Sequence, residues 1–366
     1  MSDDIRQDPA ATSWAAFCEA LKQAGDIILR PESPAAEIDR AEGWRYLSRL
    51  TRIGLEMMVE FADPDFPVFY AASHETVKIG GDNPDNVYRN AAISGAREYR
   101  LRGRRGSAPY LTFGTKANRL AGGGGMASTG ELDAKDMVFA PDGSFEIRLS
   151  RTPQQGNWLP MAADSTMLLV RETFLDRTAE TASTLLIECL DGPARPAPLG
   201  AERIEHALAA SAAFVKGTAA TFAGWAELFR RHPNRLPIVD QAMFQQVGGH
   251  PSIFYVHGYW QLAPDEALVV DTEIPDCAYW NFVLQNYWME SNDYRYLPTY
   301  VNKRSARPNP DGSVTITIAA ADPGARNYID TAGHGSGTML LRWVDAGSHP
   351  EPRCRVVKLA QLCGES

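Results

Sequence analysis

The chain has 366 residues, 44% hydrophobic and 22% charged, the balance of an ordinary globular protein with room for two domains or one large β-rich one. Its net charge of −9 argues against a phosphate backbone as partner, because nucleic-acid affinity draws on Lys and Arg.

The N-terminus is polar and acidic, without an apolar run of signal-peptide length. No segment approaches the roughly 20 apolar residues that span a bilayer, so no membrane partner is expected. Residues 1–62 are predicted helical. Trp14, Phe17, Leu21, Ala24 and Ile28 recur at three or four, as do Trp44, Leu47, Leu50, Ile53, Met57 and Phe61, with Pro31 and Pro34 between the two runs. After Pro64 and Pro67 the period changes. Short β-branched and aromatic segments between turns make residues 63–198 a first β unit. Within it, the basic run Arg97–Arg105 alternates like a solvated strand face. The glycines from Gly122 to Gly125 read as a linker, with a mobile lid as the alternative; they lack the Lys-Ser/Thr of a phosphate-cradling loop.

Residues 199–245 form a helical insert, with Ile204, Leu208, Ala212, Val215, Phe222, Trp225 and Phe229 on one face and Pro233 and Pro237 ending it. Residues 246–366 read as a second β unit, with strands at Phe254–Leu262, Ala267–Glu273 and Tyr279–Trp288. The expected fold class is α+β: duplicated, mainly antiparallel β-sandwich-like units with an N-terminal helical segment and a helical insert. Five cysteines (Cys18, Cys189, Cys277, Cys354, Cys363) are odd in number and widely spaced, without a C-x-x-C pair. They fit reduced thiols in a cytoplasm better than disulfides or a zinc site.

The duplication is visible in the sequence. Asp142-Gly-Ser-Phe-Glu-Ile-Arg-Leu149, Gly156-Asn-Trp-Leu-Pro160 and Thr166-Met-Leu-Leu-Val-Arg171 are matched by Asp311-Gly-Ser-Val-Thr-Ile-Thr-Ile318, Arg326-Asn-Tyr-Ile-Asp330 and Thr338-Met-Leu-Leu-Arg342. Asp142 and Asn157 are 15 residues apart, Asp311 and Asn327 16. Upstream, Tyr88 to Tyr110 spans 22 residues and Tyr255 to Tyr279 spans 24. Asn157 and Asn327 are therefore expected at equivalent places in two β units.

The C-terminal third resembles the family called domain of unknown function 1214. The likeness rests on Pro264-Asp-Glu-Ala-Leu-Val-Val270, Tyr279-Trp-Asn281, Asn286-Tyr-Trp-Met-Glu-Ser291, Asp311-Gly-Ser313, and Asp322-Pro-Gly324 through Asn327-Tyr-Ile-Asp-Thr-Ala-Gly-His334 to Arg342-Trp343. Gly80-Gly-Asp-Asn-Pro-Asp-Asn-Val-Tyr88 resembles, more loosely, the opening turn of the companion domain of unknown function 1254. The resemblance implies a β-sandwich-like fold and no established activity, so it carries over no catalytic residue.

Candidate chemistry centres on the places where the two copies differ. The second has Asp330 and His334 where the first has Pro160 and Asp164. A glycine-flanked histidine can act as general acid or base, with Asp330 orienting the ring; the alternative is a turn histidine bound to backbone. Asp82 and Asp85 form a second pair, which also reads as a tight turn. His334, Asp330, Asp85 and Asp82 are thus the candidate catalytic residues, with His334 and at least one of these carboxylates expected in one pocket. Tyr88, Asn83, Trp288, Glu290, Asn327 and Arg342 are the candidate substrate-binding residues. His74-Glu75, and His250 with His257, lack the His-x-His spacing that a strand metal site prefers. Without a Gly-x-Ser-x-Gly elbow, Walker loop, dinucleotide fingerprint or His-Glu-x-x-His, the common enzyme classes are disfavoured. The expectation is a cofactor-independent enzyme, without metal, doing acid/base hydrolysis or elimination at a carbon–oxygen bond of a small, partly apolar metabolite or glycoside. The rival is a non-catalytic small-molecule-binding or assembly protein, and a homo-oligomer is left open.

Overall fold

The structure, a computed structural model, describes residues 9–119 and 124–362. Gly122, Gly123 and Cys363, named above, lie outside the described residues. Helices α1 (Pro9–Ala24), α2 (Asp26–Leu29) and α3 (Glu37–Leu55) open the chain, and α3 runs on into a wider π turn at Glu56–Glu60. The long α4 (Ala201–Arg230) and short α5 (Ala242–Gln245) separate the two β units. Leu47, Leu50 and Ile53 of α3 and Phe214, Val215 and Phe222 of α4 bury their faces in one shared core, as the three-and-four spacing predicts. Trp14 and Trp44, on the same spacing, stay exposed at the edges of their helices.

The first repeat holds β1 (Asn86–Ala92), β2 (Tyr99–Arg104), β3 (Tyr110–Asn118), β4 (Met126–Asp133), β5 (Ser144–Ser150), β6 (Trp158–Pro160), β7 (Met167–Thr173) and β8 (Thr184–Cys189). The second holds β9 (Ile253–Gln261), β10 (Glu266–Thr272), β11 (Tyr279–Leu284), β12 (Tyr300–Asn302), β13 (Val314–Ala319), β14 (Tyr328–Asp330), β15 (Ser336–Val344) and β16 (Arg353–Lys358). Sheet orders β1-β7-β3-β4 and β6-β5-β2-β8 in the first are repeated as β9-β15-β11-β12 and β14-β13-β10-β16 in the second. All pairings are antiparallel except β5–β6 and β13–β14, which are parallel in both copies. Each pair of sheets closes on its own apolar core: Leu101, Leu111, Phe113, Ile147, Leu168 and Val170 in the first, Val256, Leu268, Phe282, Ile316, Met339 and Leu341 in the second.

Asn157 and Asn327 occupy the same place. The amide of Asn157 donates to the carbonyls of Val138 and Glu146 and accepts from the Val138 N–H. That of Asn327 donates to Arg307 and Thr315 and accepts from the Arg307 N–H. Both pin the loop before a β5-type strand to the crossover after it, which explains the repeated Asp-Gly-Ser…Asn pattern.

One strand is shorter than predicted. β11 stops at Leu284, and residues 285–291 turn away because the Asn286 side chain accepts from the Trp288 and Glu290 N–H groups and Met289 adopts φ 57°. The basic run lies on β2 and its flanks, where Arg100 and Arg102 pair with Glu188 and Arg97 pairs with Asp65. Cys18, Cys189, Cys277 and Cys354 are free thiols. Among the described residues, no helix is long and apolar enough to cross a membrane.

Candidate functional site

The segment leading into each repeat turns twice before its first strand, and the two turns are copies of each other. The Asn83 N–H donates to the Tyr88 hydroxyl (3.1 Å), and the His250 N–H to the Tyr255 hydroxyl (3.1 Å). The Asn83 side chain accepts from the Asp85 N–H, and the His250 ring from the Ser252 N–H. Two residues upstream stand Gly81 (φ 76°) and Gly248 (φ 99°), in the region of backbone space that favours glycine.

An arginine of the opposite repeat holds each turn. Arg342 on β15 donates to the Gly81 carbonyl, and Arg171 on β7 to the Gly248 carbonyl. Cross-strand partners identify the two arginines as equivalents: Arg171 lies opposite Tyr88 and Thr112, Arg342 opposite Tyr255 and Asn281. The same register makes Asn90 the counterpart of His257, opposite Leu169 and Leu340. The crossed arginines mark an internal pseudo-twofold axis.

Two cavities of about 180 and 210 Å³ flank this crossing. Asn83, Asn86, Arg171, Ile253 and Arg342 stand in the walls of both. The first is lined by Tyr88, Asn90 and Leu169, by their counterparts Tyr255, His257 and Leu340, and by an aromatic roof of Phe222 and Trp225 from α4 and Phe244 from α5. The second is lined in addition by Tyr110, Tyr279, His250, Asp133, Lys135 and Asp345.

The electrostatics of the first cavity are lopsided. Neither Arg171 nor Arg342 has a carboxylate partner among the described residues, whereas the Asp82 carboxylate is occupied by the Ser291 N–H (2.9 Å) and hydroxyl (2.7 Å). Burial, assisted by Arg342, pushes the His257 imidazole well below its ordinary value, so it is neutral. Its ring packs on Phe229 and Phe244, with centroids 5.0 and 4.6 Å away, and its Nδ1 has no hydrogen-bond partner among the described residues. The Asn90 Oδ1 is likewise buried and without a partner among the described residues.

The copies differ in how the two arginines are held. Asn281 accepts from Arg342 Nη1 at 3.3 Å, and Arg342 Nη2 also reaches the Asp82 carbonyl at 3.4 Å, whereas with Thr112 as the counterpart of Asn281 the Arg171 Nη1 has no partner among the described residues.

The residues selected from sequence separate into two groups. Asp82, Asn83, Tyr88 and Arg342 converge on the first cavity. His334 does not join them. It is buried, and its Nδ1 sits 2.7 Å from Asp39 of α3, not from Asp82, Asp85 or Asp330. Asp330 instead accepts from the Ala332 N–H, capping the turn in which Ala332 and Gly333 take positive φ. The glycines bend the loop onto α3, so the histidine clamps a helix. Asp85 is buried and bound by the Tyr279 hydroxyl and the Asn302 amide; burial pushes its carboxyl up despite these bonds. Trp288 lies under α3, its indole donating to the Asp39 carbonyl, and Glu290 pairs with Arg49 at 2.6 Å. Asn327 is the crossover pin described above.

Arg171, His257, Asn90 and the aromatic roof were missed. Matching Thr166-Met-Leu-Leu-Val-Arg171 to Thr338-Met-Leu-Leu-Arg342 letter by letter places Arg171 opposite Trp343, one residue out of register. The tyrosine spacing carried the correct signal, because Tyr88 and Tyr255 are the partners of the two arginines.

The family model described as Protein of unknown function (DUF1214) matches twice, at residues 88–172 and 263–347. The likeness is therefore not confined to the C-terminal third; the first repeat, where a companion domain was expected, matches the same family. Among solved structures, the chain is similar to an uncharacterised protein from Burkholderia cenocepacia, at 54% identity over 95% of this chain and 97% of that one, with a TM-score of 0.94. The VPA0106 protein from Vibrio parahaemolyticus is 11% identical over 93% of this chain and 100% of that one, with a TM-score of 0.48. No curated protein matches.

Proposed function

The chain belongs to the DUF1214 family, with two copies of its domain, and we propose that it binds a small, partly apolar molecule in the cleft where the copies meet. One observation carries this reading. The first cavity is walled by equivalent residues of both repeats, and it leaves the buried polar atoms of Asn90 and His257 without partners. Buried polar atoms are almost always satisfied, and an unmet one costs about 1–3 kcal/mol. A cavity that is aromatic on one side and carries unmet polar groups on the other has the make-up of a ligand site.

A second reading keeps acid/base chemistry, moved from His334 to His257. A neutral imidazole in the cavity wall can take a proton from an attacking water or from a carbon beside a leaving oxygen, which suits hydrolysis or elimination at a carbon–oxygen bond. The free state of Cys18, Cys189, Cys277 and Cys354 supports a cytoplasmic location for the protein.

The test is a thermal-shift screen of small metabolites against the wild type and a Val247→Trp variant, whose indole would fill the first cavity. Compounds that raise the wild-type Tm and leave the variant unmoved support the reading. Hits that stabilise both proteins equally bind elsewhere and contradict it. For any hit, His257→Gln separates the two readings: retained binding with lost turnover marks an enzyme, and binding without turnover in the wild type marks a binding protein.

A further inference from the structure

We infer that the ligand is a carboxylate, and that Arg171 is the residue that receives it. The inference rests on the binding reading and adds the chemical class and the anchoring atom. Internal duplication supplies the control. Arg171 and Arg342 are equivalent, each spends one guanidinium nitrogen on the glycine carbonyl of the opposite repeat, and each lacks a carboxylate partner among the described residues. They differ in the other nitrogen. In the second repeat Asn281 accepts from Arg342 Nη1, and in the first Thr112 leaves Arg171 Nη1 unmet.

Asp133 contacts His250, Lys135 contacts Asp345, and the Asp82 carboxylate is taken up by the Ser291 N–H and hydroxyl. Two guanidiniums without a carboxylate partner among the described residues therefore stand where the two cavities adjoin. A buried, unpaired charge is costly, and a planar carboxylate is the group whose geometry best matches a guanidinium edge. The apolar body of such a ligand belongs on the side of Phe222, Trp225 and Phe244, where the wall is aromatic. Small aryl or alkyl carboxylates fit this description. Neutral amides of the same shape lack the charge, and amines carry the wrong sign.

Titration calorimetry of the whole chain with phenylacetate, phenylacetamide and phenethylamine tests the inference. Phenylacetate is expected to bind at least tenfold more tightly than the amide, and the amine not at all. Thr112→Asn should give Arg171 the partner that Arg342 already has. It is expected to raise the Tm of the free protein and weaken phenylacetate binding about tenfold, whereas Arg171→Gln abolishes that binding. Equal binding of amide and carboxylate overturns the carboxylate assignment and leaves the cleft as a binding site. Phenylacetate binding unchanged in Thr112→Asn, in a protein whose raised Tm shows the new bond has formed, overturns the assignment to Arg171 Nη1. Failure of phenylacetate to bind overturns the inference, and the metabolite screen decides the binding reading separately.

Discussion

Asn157 and Asn327 each tie three backbone groups with a single amide, and the surrounding Asp-Gly-Ser turns repeat with them, which is why this part of the chain was legible from spacing. No other side chain of that length presents a donor and an acceptor on the same plane. Asn157→Ala and Asn327→Ala should each cost about 1–3 kcal/mol, because carbonyls and an N–H lose their partners. Urea unfolding checks this, and a loss confined to one of the two would contradict their equivalence. His334 was expected, from the same kind of evidence, beside Asp82, Asp85 or Asp330, and it pairs with Asp39 instead. Flanking glycines announce an unusual backbone, but not what the bend is for, and Asp39 lies 295 residues away in sequence. His334→Ala should therefore destabilise the fold, by about 3–5 kcal/mol where a buried pair is broken, without changing ligand affinity. Lost affinity in a stably folded variant would restore a role for His334 in the site.

At the scale of elements, the helices and the strands β2, β9 and β10 followed from periodicity, and β11 ended early because one side chain, Asn286, turns the backbone out of the sheet. Less legible was the way β4 is fastened to the turn before β9. His250 lies 3.4 Å from Glu131 and 3.3 Å from Asp133, and Lys116 pairs with Glu131. Burial would raise the Glu131 carboxyl, yet His250 and Lys116 hold it at about 2. Burial lowers the His250 imidazole, and its bonds to Asp133 and Glu131 more than reverse this. The depressed carboxyl contributes stability above its unfolded value of about 4.5, lost as pH falls toward 2. The raised imidazole contributes below about 6.5, and that part is lost as pH rises through its folded pKa. The cluster should therefore stabilise most between about pH 4.5 and 6.5. His250→Asn is the matched variant, since Asn83 caps the same turn in the first repeat. Chemical denaturation of both proteins across pH should show a stability gap widest in that window and narrowing above it. A gap independent of pH would rule out the charged cluster.

The whole molecule is two copies that complete each other. Arg342, Asn281, Tyr279 and Ser291 of the second repeat are all held by residues 81–85 in front of the first, and one guanidinium nitrogen of Arg171 of the first donates to Gly248 in front of the second. Sequence alone revealed the duplication but not this exchange, because a one-residue slip in the arginine motif hid the symmetry and the contacts join distant segments. Residues 246–366 expressed alone should not form a stable domain, since the groups that residues 81–85 satisfy would face water or stay unmet; a well-dispersed amide NMR spectrum from that fragment would contradict this. The exchange also brings both arginines into the wall of the cleft under its aromatic roof. The most direct measurement is a crystal structure grown with phenylacetate. The account predicts density for the ring against Phe222, Trp225 and Phe244, with the carboxylate on Arg171. Phenylacetate bound only elsewhere on the protein, or an unliganded cleft at saturating concentration, would contradict it.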